Sequence, residues 1–393
     1  MLCSAALILT GSVSAQNGMT RPRRVNPLPP ASDETTSPDS SPNRPVSNSP
    51  NPNPRTSRAD TSRAYSLLQQ RQYEAAAREA KQIAASYPNE SEAWKIAGFA
   101  EYNLKQYAEA AADLGRALNL QRAAGQEDAN TLDALARALV LTEKFDQALP
   151  LLVTATTRKG AQPDASMLYY RGIAEYRTGK PADAERSFSL AVKANPKDAA
   201  SLYYLGQIAY ARNDLDAAIA ALNRATVTDA RLASAWALLT SAYLRRAAAA
   251  TVQARADADY LSAVRSGEAL TGLRADAEAT TLFGQALIGA KQYPRAANVL
   301  ERATTGDDAT VVMLYLLGVA HSRAKNFPKA IAALERAAAK SPEDVNTYRE
   351  LGYAYEITKQ YAKALAAYQK GLSLLPDDAD FKEAVARVQP YAK

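Results

Sequence analysis

The chain has one cysteine and one histidine among its 393 residues. A disulfide framework therefore cannot form, and a Cys/His zinc centre has too few ligands. Repeated use of imidazole as a general base is excluded as well. Any Ser-His-Asp or Cys-His set would have to use His321, the single histidine. Gly-rich phosphate loops, metal-spaced clusters and nucleophile motifs are missing. Beyond the amino end, no stretch approaches the roughly 18 apolar residues that a membrane helix needs. Charge of either sign is nearly balanced: 47 Lys+Arg against 41 Asp+Glu give a net +6. That excess is too small to point to nucleic acid. Hydrophobic residues make up 47% and charged residues 22%, as in a soluble folded protein.

The amino end has its own character. Residues 1–15 carry no charged side chain, contain an apolar run from Ala5 to Leu9 and end Val13-Ser14-Ala15. They read as a secretory signal peptide cleaved after Ala15, although Met1-Leu2-Cys3 supplies no basic start. Cleavage there would remove Cys3, leaving a mature chain without thiols, which suits an oxidising compartment. Export to the periplasm, the cell surface or the medium is the expectation. Residues 16–56 hold ten of the 20 prolines and no aromatic residue. Such a segment cannot bury enough apolar surface to offset chain entropy, and it reads as a disordered linker rich in Pro, Ser and Asn.

From there a period takes over. An aromatic residue followed three places later by Ala occurs at Tyr73/Ala76, Tyr107/Ala110, Phe145/Ala148, Tyr260/Ala263, Tyr293/Ala296, Phe327/Ala330 and Tyr361/Ala364, with variants at Pro181/Ala184 and Leu215/Ala218. The intervals between successive alanines are 34, 38, 36, 34, 45, 33, 34 and 34. Twelve residues before each Ala stands a small residue: Ala64, Gly98, Ala136, Gly172, Gly206, Gly284, Gly318 and Gly352, with Thr240 in the sixth unit. Twelve residues after it, four units carry Pro88, Pro196, Pro342 and Pro376. Each unit is thus two apolar-periodic stretches joined by a short polar turn. Small residues at facing positions let two antiparallel helices approach closely, and proline ends the second. One such hairpin cannot bury its own apolar face, so the units must stack.

These columns resemble those of the tetratricopeptide-repeat (TPR) family. Ser201-Leu202-Tyr203-Tyr204-Leu205-Gly206 and Tyr348-Arg349-Glu350-Leu351-Gly352 match its first-helix motif, and Tyr361-Ala362-Lys363-Ala364 with Pro376 match its second. The resemblance implies an all-α, right-handed superhelical solenoid of helix-turn-helix units. About nine units would span 57–376, and 377–393 would form a capping helix opening near Asp380 and ending near Pro390. It also implies a concave groove lined by first helices. Tyr102, Tyr169, Tyr176, Tyr203, Tyr210, Tyr315 and Tyr353 fall at groove positions, and tyrosine offers broad contact area with a polar tip. The expected function is a non-enzymatic scaffold binding a protein or peptide segment, without cofactor, metal or nucleic acid. The alternative is a binder of glycan or anionic polymer, or an accessory subunit of an envelope enzyme complex. No catalytic domain remains once the repeats are assigned.

Two intervals depart from the period. Four extra residues between Ala110 and Ala148 fall in the polar stretch Gly125-Gln126-Glu127-Asp128. Eleven extra residues in the sixth unit lie in Arg245 to Asp259, which is Ala-rich and lacks Gly and Pro. They predict a hairpin lengthened by about three helical turns. His321 falls where the repeat places a large core residue, which predicts a structural, buried histidine.

Overall fold

The small-residue column explains how the helices pair. The computed structural model describes residues 59–158, 164–306 and 309–392, and among them there are 19 α-helices, one short 3-10 turn and no strand. The predicted signal peptide and linker lie outside the described residues. Two compact bodies divide at Pro196/Lys197. The amino-terminal body holds four hairpins: α1 Ser62–Gln69 with α2 Tyr73–Ser86, α3 Ser91–Asn103 with α4 Tyr107–Ala123, α5 Ala129–Leu141 with α6 Phe145–Thr157, and α7 Ala165–Arg177 with α8 Pro181–Ala194. The carboxy-terminal body holds five: α9 Ala199–Ala211 with α10 Leu215–Thr228, α11 Ala233–Ala249 with α12 Gln253–Leu273, α13 Ala277–Gly289 with α14 Tyr293–Ala303, α15 Val311–Arg323 with α16 Phe327–Lys340, and α17 Val345–Ile357 with α18 Tyr361–Leu374. α19, Ala379–Val388, closes it, and within each body every hairpin packs on the next.

Inside a hairpin the glycine is a matter of space. A Cβ on Gly98, Gly206 or Gly318 would lie 2.6, 2.5 or 2.4 Å from Cγ of Leu114, Leu222 or Leu334, sixteen residues on. On Gly172 and Gly352 it would meet the rings of Phe188 and Tyr368 at 2.7 and 2.4 Å. The first hairpin keeps Ala64 in this column, and there the residue sixteen places on is the small Ala80.

The turn within each hairpin is built on backbone rather than side chain. Arg71, Lys105, Glu143, Gly179, Asn213, Lys291, Lys325 and Lys359 stand five residues before the marker alanine, and all have positive φ, from 58° to 76°. In the second hairpin the Lys105 N–H donates to the Tyr102 carbonyl and the Gln106 N–H to the Glu101 carbonyl, closing the end of α3. The sixth hairpin alone has no such residue among those described. It runs on instead, with α11 at 17 residues against the usual 13 and α12 at 21 against 14. The eleven extra residues are thus divided four and seven. Arg246 grips Asp259 through two bonds of 2.9 and 2.7 Å and reaches Asp216 of α10 at 2.5 Å. Tyr260 fills the space that a side chain on Gly289 would need.

Between hairpins a polar pair spaced twenty residues apart recurs. Lys81 bonds Glu101, Asn223 donates to the Tyr243 hydroxyl at 3.0 Å, Glu301 meets His321 at 3.1 Å, and Tyr355 donates to Glu335. Each pair ties a second helix to the first helix of the next hairpin.

Side-chain caps belong mainly to the first helices. Asp128, Asp164, Asp198, Asp276 and Thr310 accept backbone N–H bonds at the starts of α5, α7, α9, α13 and α15. Asp378 does the same for α19, taking the Phe381 N–H at 2.9 Å, and Phe381 is 1% exposed.

Candidate functional site

The first helices carry the seven tyrosines that the repeat pattern singles out, and the structure treats them differently. In the amino-terminal body Tyr102 is 5% exposed, edge-on to Tyr107 at 5.4 Å, with the Tyr170 hydroxyl of α7 close enough to act on its own. Burial pushes both hydroxyls well above the usual phenol range. Arg137 of α5 lies near both and donates to the Met167 sulfur at 3.0 Å. Tyr169 is half-buried against Phe188 and Tyr170, at 6.0 and 5.6 Å between ring centres. Tyr176 is also half-buried, and burial raises its hydroxyl. This face is filled largely by its own side chains.

In the carboxy-terminal body Tyr203 is half-buried, edge-on to Tyr204 at 5.3 Å. Tyr210, about two turns along α9, lies under the Arg245 guanidinium at 5.2 Å. Between them, the Oε1 atom of Gln207 is buried and has no hydrogen-bond partner. Tyr353 of α17 is 41% exposed, with the Phe327 ring at 6.4 Å and the Arg323 guanidinium at 6.0 Å. Arg323 is fixed by two bonds to Glu350, of 2.8 and 3.2 Å. Ser322 of α15 is buried and its Oγ has no hydrogen-bond partner.

Tyr315 departs from the groove expectation, as Tyr102 does. It is 9% exposed and packs within the interior among Met313, Leu316 and Leu317. The physical reason in both cases is neighbouring bulk: Tyr170 comes from two hairpins away, and α17 packs against α15. Sequence spacing places a residue on a helix face but does not say what another hairpin sets against it. The repeat pattern does not single out Tyr170, Gln207 or Ser322. Tyr170 could have been found as the second of an adjacent tyrosine pair. The unpaired states of Gln207 and Ser322 leave no trace in the sequence.

His321 is buried, with Nε2 3.1 Å from Glu301 Oε1, and the Lys329 ammonium lies 2.9 Å from that oxygen. Desolvation holds His321 below its ordinary range, and the Lys329 hydrogen bond lowers Glu301. Asp378 and Asp380 are engaged by Arg349 at 2.7 and 3.3 Å. Among the described residues no group of three His, Cys, Asp or Glu could hold a metal ion, and no helix is long and apolar enough to cross a membrane.

The sequence profile of the tetratricopeptide repeat matches residues 61–128, 134–192, 171–233, 281–345 and 315–379. The longest gap between these matches, 234–280, takes in nearly all of the long sixth hairpin. No curated protein matches the chain. Among solved structures the chain is similar to YrrB, described as a TPR protein with an unusual peptide-binding site, at 17% identity over 52% of this chain and 99% of that one, with a TM-score of 0.43. A tetratricopeptide repeat protein from Parabacteroides merdae is 14% identical over 66% of this chain and 98% of that one, with a TM-score of 0.42. The carboxy-terminal part of a TPR repeat-containing protein from Cytophaga hutchinsonii is 17% identical over 72% of this chain and 96% of that one, with a TM-score of 0.43. With repeat matches over more than half of its length and nine hairpins built on one plan, the chain belongs to the tetratricopeptide-repeat family, whose fold is an interaction module for other proteins.

Proposed function

We propose that the chain is an exported, non-enzymatic scaffold that takes a segment of a partner protein along the first-helix face of its carboxy-terminal body. One observation carries this reading: Tyr203 and Tyr210 keep accessible surface on α9, and Tyr353 is 41% exposed on α17. Tyrosine gives contact area at low entropic cost, with a polar tip that can pair with an extended chain. The Pro-rich segment serves as an amino-terminal tether or spacer for the scaffold.

A crosslinked pull-down with the mature chain tests the scaffold reading. One stoichiometric protein partner supports it, and the double variant Tyr203→Ala/Tyr210→Ala should weaken capture at least tenfold, as loss of aromatic anchors does at interfaces. Pelleting with peptidoglycan or polysaccharide, and no such partner, rejects it in favour of polymer binding. Fractionation with amino-terminal sequencing tests export. A cytoplasmic chain retaining Met1 refutes that part.

A further inference from the structure

The amino-terminal body buries a first-helix glutamate twice, and the residue facing it from the second helix differs between the two sites. Glu175 of α7 is 2% exposed and faces Ser187, twelve residues on, whose hydroxyl donates to it at 2.5 Å, while Arg171 donates at 2.7 Å. Glu101 of α3 is also 2% exposed, but twelve residues on stands Asp113, itself 8% exposed. A donor has been replaced by a second carboxylate. Lys81 of α2 reaches both, bonding Glu101 and lying 3.6 Å from Asp113. Glu101 Oε2 and Asp113 Oδ2 are nonetheless buried without hydrogen-bond partners. Two buried carboxylates against one half-exposed ammonium cannot both ionise without cost.

The remaining charges nearby are committed or turned to solvent. Behind Asp113, Arg116 of α4 lies over the Trp94 ring at 4.6 Å. Arg63 of α1 faces Glu79, and Lys95 of α3 holds Glu92 and Asp128. In α5, Asp133 pairs with Arg158 and Arg137 with Asp164, while Arg122 of α4 pairs with Glu127. Glu74, Arg78 and Glu109 are exposed.

We propose that Lys81, Glu101 and Asp113 form a proton-dependent joint that docks the first hairpin on the second. With one proton shared by the two carboxyls, the Lys81 bond holds α2 against α3 and α4. Loss of that proton to solvent leaves a net negative charge in the interface and loosens it. The surface then uncovered is the contact of Ile96 and Ala97 with Ala64 and Ala80. Burial pushes the Glu101 carboxyl up to about 7, which puts the transition near neutral pH. The sign follows from linkage: an acid raised in the folded state contributes stability below its unfolded value, and that contribution is lost as pH rises through the folded value.

Hydrogen exchange of the full chain between pH 5.5 and 8.5, read peptide by peptide and divided by the intrinsic rate, tests this. Opening of α1–α2 should rise with pH by up to about tenfold per unit below 7 and level off above it, with no matching rise in α9–α10. Glu101→Gln should flatten the profile. Asp113→Ser, which restores the Glu–Ser pairing seen at Glu175 and Ser187, should flatten it as well and remains available where the first variant does not fold. A flat wild-type profile, a rise shared equally by α9–α10, or a slope that survives in either folded variant overturns the joint.

Discussion

Three residues after the small-residue column, the amino-terminal body sets Glu101 and Glu175, and the carboxy-terminal body sets Tyr243, His321 and Tyr355. All of these side chains are largely enclosed, and the polar ones are matched from outside their own helix: Lys81 for Glu101, Ser187 for Glu175, Asn223 for Tyr243, Glu301 for His321 and Glu335 for Tyr355. The contrast with the glycine column is instructive. One place tolerates only a small residue because a second-helix side chain occupies the volume. The other accepts a carboxylate, an imidazole or a phenol, provided that a partner is delivered. Space is fixed within the hairpin, whereas polarity is settled by whichever neighbouring helix supplies the partner, Ser187 from the same hairpin or Lys81, Asn223, Glu301 and Glu335 from the one before.

The largest test of this contrast is at the closing helix. Phe381→Ala removes a ring that is 1% exposed and should cost about 3–5 kcal/mol, measured by chemical denaturation. Next comes the column itself. Gly318→Val drives two methyls into Leu334 and should cost about 1–3 kcal/mol. Ala64→Val should cost less, because Ala80 stands where Leu334 does in the eighth hairpin. Equal costs at the two sites would break the volume explanation.

Smaller effects sharpen it. Lys359→Gly relieves a side chain held at φ 59° and should stabilise by about 1 kcal/mol, seen as a higher denaturation midpoint. The smallest effect is on the acid side. Desolvation lowers His321 in the folded state, so its contribution is present above the unfolded value of 6.5 and is lost as pH falls through the folded value. Protection of α14–α16 should therefore weaken from pH 7 towards pH 5, and His321→Gln should remove that slope. The first hairpin responds in the opposite direction, opening as pH rises, so one pH series separates the two chemistries.

Most of the hairpin plan is legible in the sequence because volume is a property of single residues. The alanine and glycine columns mark the hairpins, and Pro88, Pro196, Pro342 and Pro376 each stand two residues past the end of a second helix. The excess between Ala110 and Ala148 is visible too, and the structure spends it on a longer α4 and a turn through Gly125. The left-handed turn is not legible. Arg71, Lys105, Glu143 and Asn213 share a backbone angle and no side-chain chemistry. The candidate site is legible only in part. Tyr353 is exposed as its position suggests, but the enclosure of Tyr102 depends on a residue 68 places away. A buried acid such as Glu101 reads as a surface charge until its neighbours are known.

The sixth hairpin also has a practical use. Its tip, Thr251 and Val252, is exposed, with Val252 at 61%, and the helices leading to it are anchored by Arg246 and Tyr260. Exposed tips of this kind accept inserted sequence with little disturbance to the chain beneath. A short epitope or a dye-labelled cysteine placed between Thr251 and Val252 would let the protein be tracked in its native surroundings while both first-helix faces stay untouched.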